Sequence, residues 1–442
     1  MTNLSGDFAG VCQKFNCTSV AGFVLSSQGY CGFGQSGKTR LSSLIPAVVP
    51  FFANDTFLPP SPVEPSSRYH MGSLTKSMTS SLVQILEEEG VLAWNTTLKE
   101  VFGAAASGIY ANVSLNDLAN HRSGIQAVPP KPDGFPGTGW QWIALTVPGP
   151  LKSQRLNVSL QLLQMDPIGQ IGRGYFYSNG GYVVLGAVAE KLTGQSWEDL
   201  MQSKLFGPLG MSSAGFGAPT GQVQDTWASS HKEGSFPGTP FSQCVSYPNN
   251  QSQLVRCAVD NPPVMGPAGN AHMDVNDMGK YLRWHLTGHQ GNPQPAGVMS
   301  AAGFQFLHTG DARPTPPGAA YGHGWITSKT QPLTYSHEGS NGRNRANMVI
   351  SPSENLAYFM VTNDDTKVSQ GTYNFLPAQI WVPSQCTSAF IPSSSTAPSA
   401  PPSAATPSTS PTAHDASMSG ASHHSFGGAC LFLLAVVSVL FL

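Results

Sequence analysis

Charge is what this chain has least of. Asp, Glu, Lys and Arg make up 10% of its 442 residues, against roughly 25% in ordinary soluble domains. The formal net charge is −2, so nothing in the balance selects nucleic acid or an anionic surface as a partner. The seven cysteines, at 12, 17, 31, 244, 257, 386 and 430, include no Cys-x-x-Cys pair, which removes zinc-ribbon and thioredoxin readings. There is no His-Glu-x-x-His, Walker loop or dinucleotide fingerprint, so neither a metal nor an organic cofactor is implied. A Gly-x-Ser-x-Gly elbow is also missing, which argues against an α/β-hydrolase. No internal repeat is visible.

Glycine and proline, by contrast, are plentiful (47 and 36 residues), as in a loop-rich fold. Asn-x-Ser/Thr sequons at Asn3, Asn16, Asn54, Asn95, Asn112, Asn157 and Asn250, with the low charge, lean towards a secreted glycoprotein. From Pro392 to Thr412 every residue is Pro, Ser, Thr or Ala, a composition that cannot bury a core. The chain then ends in a fourteen-residue apolar tail, Ala429 to Leu442, short of the ~20 residues of a comfortable membrane span. Small residues around Ser417 to Ser422, a polar spacer and that tail form the pattern of a GPI-attachment signal. The first residues show no basic-then-apolar leader, so an extracellular protein of this kind is expected to begin upstream of Met1. The expected organisation is a catalytic domain over 1–390, a disordered stalk over 391–428 and the tail over 429–442. Contact with a membrane is expected only through that C-terminal lipid anchor. In an oxidising compartment Cys244–Cys257 is the preferred bridge. One local pair is expected among Cys12, Cys17 and Cys31, leaving Cys386 for the odd one.

Val20 to Leu25 and Tyr30 to Phe33 read as a hairpin around Ser26-Ser27-Gln28-Gly29. Helical patterns follow at Ser80–Glu89, Gly181–Leu192, Trp197–Leu205 and Val275–Leu286, separated by long loops at 126–150 and 214–270. Strand patterns return at Tyr321–Ser328, Leu333–Ser336, Ala346–Ser351 and Leu356–Thr362. The fold class expected is α/β: an antiparallel central sheet built from both chain ends and flanked by helices. An inserted, mainly helical lobe covers roughly 80–290, with a site in the cleft between the lobes.

The chemistry-bearing stretch is Met71-Gly72-Ser73-Leu74-Thr75-Lys76, a glycine-led turn into a helix. Residues three apart share a helix face, so the Ser73 hydroxyl and the Lys76 amine meet. A helix N-terminus also favours a developing anion. Ser-x-x-Lys alone is weak, since Ser229 and Lys232 repeat it by chance. Context selects Tyr177-Ser178-Asn179, before an apolar helix, and His337-Glu338-Gly339-Ser340, at a strand, over other occurrences of the same short patterns.

In that order the three motifs resemble the serine β-lactamase and penicillin-binding-protein superfamily, in its class C-like branch. The flanks agree: His121-Arg122-Ser123-Gly124, Phe206-Gly207-Pro208-Leu209-Gly210-Met211 and Tyr321-Gly322-His323-Gly324-Trp325 are similar to family turns. The resemblance implies a serine hydrolase forming a covalent acyl-enzyme on a small-molecule or peptide amide or ester. It implies Asn179 as the residue orienting Lys76 and the substrate amide, and the backbone N–H groups of Ser73 and Ser340 as the oxyanion hole beside Gly339. Lys76 and Tyr177 are both candidates for general base: burial would lower the lysine's pKa, and nearby cations the tyrosine's. One departure stands out. Classical members carry Lys-Thr-Gly where this chain has His337-Glu338-Gly339, so a fixed cation is expected to become one that titrates near neutrality beside a carboxylate. Arg343 and Arg345 read as solvated loop arginines, His121 as structural, and His323 as either lining the cleft or supporting Trp325. The reading from another class is a surface binding or assembly protein that keeps this fold with little turnover.

Overall fold

The computed structural model describes residues 2–15, 19–38, 61–106, 108–134, 138–217, 219, 261–313, 319–328, 331–342 and 344–363. The chain divides into two units, Met1–Thr387 and Ser388–Leu442. The second holds the stalk and tail and lies outside the described residues, as do Cys17, Cys244, Cys257, Cys386, Cys430 and Arg343.

The strands are β1 (Thr2–Asn3), β2 (Ser19–Ser26), β3 (Gly29–Gly37), β4 (Tyr69–His70), β5 (Gly215–Phe216), β6 (Ala271–Met273), β7 (Ala319–Gly322), β8 (Trp325–Ser328), β9 (Tyr335–Ser340), β10 (Arg345–Ser351) and β11 (Leu356–Thr362). Eight of them form one sheet in the order β1-β3-β2-β11-β10-β9-β8-β7, antiparallel except that β1 runs parallel to β3. The sheet thus joins the two ends of the described chain, as the strand patterns predict. Residues Ser19–Ser26 are buried throughout, which explains the unbroken apolar run of β2. The Val275–His289 helix packs on β2, β10 and β11. The Ser5–Phe15 helix lies against β3, where Gly32 and Gly34 leave no side chain to hold it off. Cys12 in that helix and Cys31 in β3 are disulfide-bonded.

The Thr75–Glu88 helix is the centre of the molecule, with every residue from Thr75 to Leu86 buried. Its polar side chains remain inside because each finds a partner. Thr79 Oγ1 donates to Pro267 O at 2.8 Å, Ser77 Oγ to Leu74 O at 2.8 Å and Ser81 Oγ to Ser77 O at 3.0 Å. Two short helices, Leu98–Phe102 and Leu115–Ala119, are held by capping chemistry rather than length: Thr97 with Glu100, and Ser114 with Asp117, each complete a capping box.

 The Leu151–Leu162 and Asn179–Thr193 helices pack on each other, the second capped by Ser178 at its start and by left-handed Gly194 at its end.

Three local expectations are corrected. Tyr321–Ser328 is not one strand but the β7–β8 hairpin, turned at His323 (φ 51°) and Gly324 (φ 83°), as a two-residue turn with both central φ positive requires. The third motif does not follow a strand at Leu333–Ser336; β9 begins at Tyr335 and runs through the motif to Ser340. The loop expected over 126–150 contains the Gly139–Thr146 helix.

Candidate active site

Gly72 is the residue that lets the site form. Its φ is +53°, and a Cβ there would lie 2.3 Å from Ser340 N, so β9 and the turn before Ser73 approach as two bare backbones. Gly339 answers from the other side, where a Cβ would lie 2.0 Å from Met71 O. Within β9, β8 pairs only with Tyr335 and Ser336. The Gly72–Leu74 turn therefore packs where the far half of β9 has no β8 partner among the described residues. That puts Ser73 and the backbone of Ser340 side by side.

Ser73 is partly open to solvent, whereas Lys76 is fully buried. Lys76 Nζ lies 3.0 Å from Ser73 Oγ, 2.7 Å from Asn179 Oδ1 and 2.7 Å from Ala268 O. Burial holds the amine well below the usual lysine range, with no carboxylate opposing it. The rings of Tyr177 and Tyr182, 4.7 and 5.6 Å from Nζ, attract a cation weakly by comparison. The partners fit the neutral form. Asn179 Oδ1 and Ala268 O only accept, which uses both N–H bonds of a neutral amine and turns its lone pair to the Ser73 hydroxyl.

Tyr177 is hydrogen-bonded to Ser73 through its hydroxyl. Burial pushes that phenol up from its ordinary value, and no cation brings it down; the expected lowering is not found. Of the two candidates for base, Lys76 has the depressed pKa. Asn179 opens the Asn179–Thr193 helix, which is how a residue 103 positions on reaches the lysine.

His337 also departs from expectation. It is 3% exposed, and burial holds its imidazole down to about 3, so it is no cation at neutral pH. Its Nδ1 donates to Glu338 O at 2.6 Å, which leaves Nε2 to accept from the Tyr321 hydroxyl at 3.1 Å. The Glu338 carboxylate lies across the strand, as alternate residues must, and pairs with Arg345 Nη2 at 2.9 Å. Arg345 is thus paired with Glu338 rather than simply solvated. His323 supports the hairpin: it is buried between Trp94 and Phe306 (centroids 4.8 and 4.5 Å) and bonded to Asn116 Oδ1 at 2.8 Å.

The structure therefore brings together Ser73, Lys76, Tyr177 and Asn179, with Gly339 and Ser340 alongside. Two participants escaped the sequence reading. The Ala268 carbonyl carries no residue signature at all, and Tyr321 was visible only as part of a turn motif.

This geometry has counterparts. The family model described as Beta-lactamase matches residues 56–377. The chain belongs to the beta-lactamase family. Penicillin-binding protein 4 of Amycolatopsis lactamdurans is 25% identical over 315 residues, covering 70% of this chain and 75% of that protein. The unguisins hydrolase ungD' of Aspergillus campestris is 24% identical over 328 residues, covering 71% of this chain but 55% of the relative. A class C beta lactamase structure from Rhodobacter sphaeroides aligns with TM-score 0.58 at 16% identity, covering 81% of this chain and 93% of that one. The last likeness is one of fold. Family and relatives together make this a member of the beta-lactamase-like serine hydrolases.

Proposed function

We propose that the protein hydrolyses an amide or ester through an acyl-enzyme on Ser73. The observation that carries this is the buried Lys76 amine, held well below the usual lysine range, bonded to Asn179 Oδ1 and Ala268 O, and 3.0 Å from the hydroxyl it would deprotonate. Ser73 Oγ adds to the substrate carbonyl as Lys76 takes its proton. The oxygen that gains charge sits against the backbone N–H groups of Ser73 and Ser340, as the close approach at Gly72 supports. Tyr177, kept protonated by burial and hydrogen-bonded to Ser73, passes its proton to the leaving atom and takes back the one Lys76 removed from Ser73, so the amine is again free. Water then adds to the acyl carbonyl as Lys76 takes its proton, the bond to Ser73 Oγ breaks, and that proton returns to Oγ with release of the acid. No metal or organic cofactor takes part in this scheme.

His337 narrows the substrate class. An uncharged imidazole with both nitrogens engaged offers a carboxylate neither charge nor a spare donor. The fitting substrates are esters or amides uncharged on the side facing β9.

The same proposal places the protein outside the cell. The described sequon residues Asn3, Asn95, Asn112 and Asn157 are all exposed, and Cys12 and Cys31 are disulfide-bonded. The tail would anchor it through a glycolipid, which release from membranes by a phosphatidylinositol-specific phospholipase C tests.

The rate of acylation by a neutral ester, followed against pH, tests the chemistry. The rate should hold through neutrality and fall as Lys76 takes a proton on the acid side. Lys76→Ala should lower it on the order of 10²-fold. A Lys76→Ala enzyme that acylates at the normal rate would remove the amine from the mechanism.

A further inference from the structure

His121 falls just after the Leu115–Ala119 helix, in a backbone conformation that side chains other than Asn and Asp seldom adopt (φ 56°). It is completely buried. The hydrogen bonds it accepts converge on one segment. His121 O accepts from Phe176 N at 2.9 Å, and His121 Nδ1 accepts from Ser178 N at 3.1 Å. The backbone N–H groups of Phe176 and Ser178, the residues on either side of Tyr177, are thus both held by a single residue. The imidazole itself packs on the Tyr177 ring, with centroids 4.3 Å apart and planes at 44°, and on Tyr321 at 4.7 Å.

The sharing has a chemical consequence. To accept from Ser178 N, Nδ1 must keep its lone pair, so the ring carries its hydrogen on Nε2 and stays neutral. Burial, with the Arg122 guanidinium adding to it, holds the imidazole well below its ordinary range and keeps it so. Nε2 has no hydrogen-bond partner, a cost that nothing in the sheet or helix packing requires. A buried residue with a left-handed backbone and an unpartnered N–H is costly as mere filler. The two hydrogen bonds it accepts and its closest ring contact all fall on the segment from Phe176 to Ser178.

We propose that His121 is a positioning residue that holds the Tyr177 hydroxyl on Ser73. This rests on the reading that Tyr177 assists the reaction at Ser73. It goes further in assigning the tyrosine's placement to a residue that touches no reacting atom. The left-handed backbone puts the imidazole under the tyrosine ring, and the two flanking amides prevent the motif from rotating away. Ser178 extends the effect, because its hydroxyl caps the helix that begins with Asn179 and accepts from Gly181 N at 2.9 Å.

The substitutions that separate positioning from filling are His121→Asn, His121→Gln and His121→Phe. Asparagine tolerates the left-handed backbone and places its Oδ1 where Nδ1 stands; glutamine and phenylalanine do neither. Each would be made in the full chain and again with Tyr177→Phe, with acylation of Ser73 by a neutral ester as the readout and a thermal melt for folding. A hydroxyl misplaced by about 1 Å costs on the order of 10²-fold in rate. His121→Gln and His121→Phe should lower kcat on the order of 10-fold or more with KM little changed. His121→Asn should recover most of that loss. On the Tyr177→Phe background none of the three should lower the rate further by more than about 2-fold, since nothing remains to be positioned. If His121→Phe does not fold, the contrast between Asn and Gln decides the matter. Equal losses in Asn and Gln, or the same loss with and without the tyrosine hydroxyl, would overturn the assignment while leaving the role of Tyr177 intact. A Tyr177→Phe enzyme of normal rate that still acylates at Ser73 would overturn the role of Tyr177 and the positioning role with it.

Discussion

Acidification should unfold this protein through its buried histidines. His323 and His337 both lie inside and are held down to about 3, mainly by burial, against 6.5 for a free imidazole. His121, His285 and His308 are displaced in the same direction. Below pH 6.5 the unfolded chain binds protons at these sites and the native state does not, so stability falls as pH falls, down to the native pKa values. For one such histidine the loss on going to pH 5 is about 1.5 pH units, or about 2 kcal/mol at ~1.4 kcal/mol per unit. His323 and His337 alone give about 4 kcal/mol, a large part of the 5–15 kcal/mol typical of a folded domain. Glu190 and Asp274, displaced upward mainly by burial, act in the opposite sense, since a carboxyl raised in the native state gains stability as pH falls. Urea denaturation at pH 7.5, 6 and 5 reads the effect directly. His323→Gln should reduce the slope by one proton, making the loss about 2 kcal/mol smaller. A stability that stays flat between pH 7.5 and pH 5 would refute the burial argument, and with it the neutral state assigned to His337.

Three further outcomes follow from single contacts. Gly339→Ala should cost about 1–3 kcal/mol in a denaturant melt and most of the acylation rate, because its Cβ would meet Met71 O at 2.0 Å. Arg155→Ala should destabilise by about 3–5 kcal/mol, since it strips the buried Glu190 carboxylate of its ion pair and also releases Glu198, 2.7 Å away. His337→Lys should restore a donor for carboxylates and raise acylation by penicillins on the order of 10-fold, the size of one charge-assisted hydrogen bond, measured with a fluorescent penicillin.

The motifs were legible because covalent chemistry demands fixed residue types at short spacings. Ser73 and Lys76, one turn apart, and Tyr177 and Asn179, astride a helix start, meet as their spacing implies. The end strands were legible too, since β2, β10 and β11 are nearly continuous apolar runs. What escaped were features that only assembly creates. The Ser5–Phe15 helix does carry an apolar period, at Phe8, Val11, Cys12 and Phe15, but it is short, and its place is set by Leu4 and Phe8 packing over glycines in β3. The charge on His337 was misjudged because sequence shows an adjacent Glu338, whereas a strand sends neighbouring side chains to opposite faces. Tyr177 was expected to gain from nearby cations, but its burial outweighs any such help. His121 looked structural from its loop; only the fold shows that the structure it holds is the second motif.

The account stands or falls on the bond it places at Ser73. Incubating the protein with a slow ester, quenching in acid and mapping the adduct by peptide mass spectrometry measures that bond directly. The expected result is one acyl group on the peptide containing Ser73, absent from Ser73→Ala and formed at least on the order of 10²-fold more slowly in Lys76→Ala. An adduct on another residue, or hydrolysis that continues unchanged in Ser73→Ala, would contradict it.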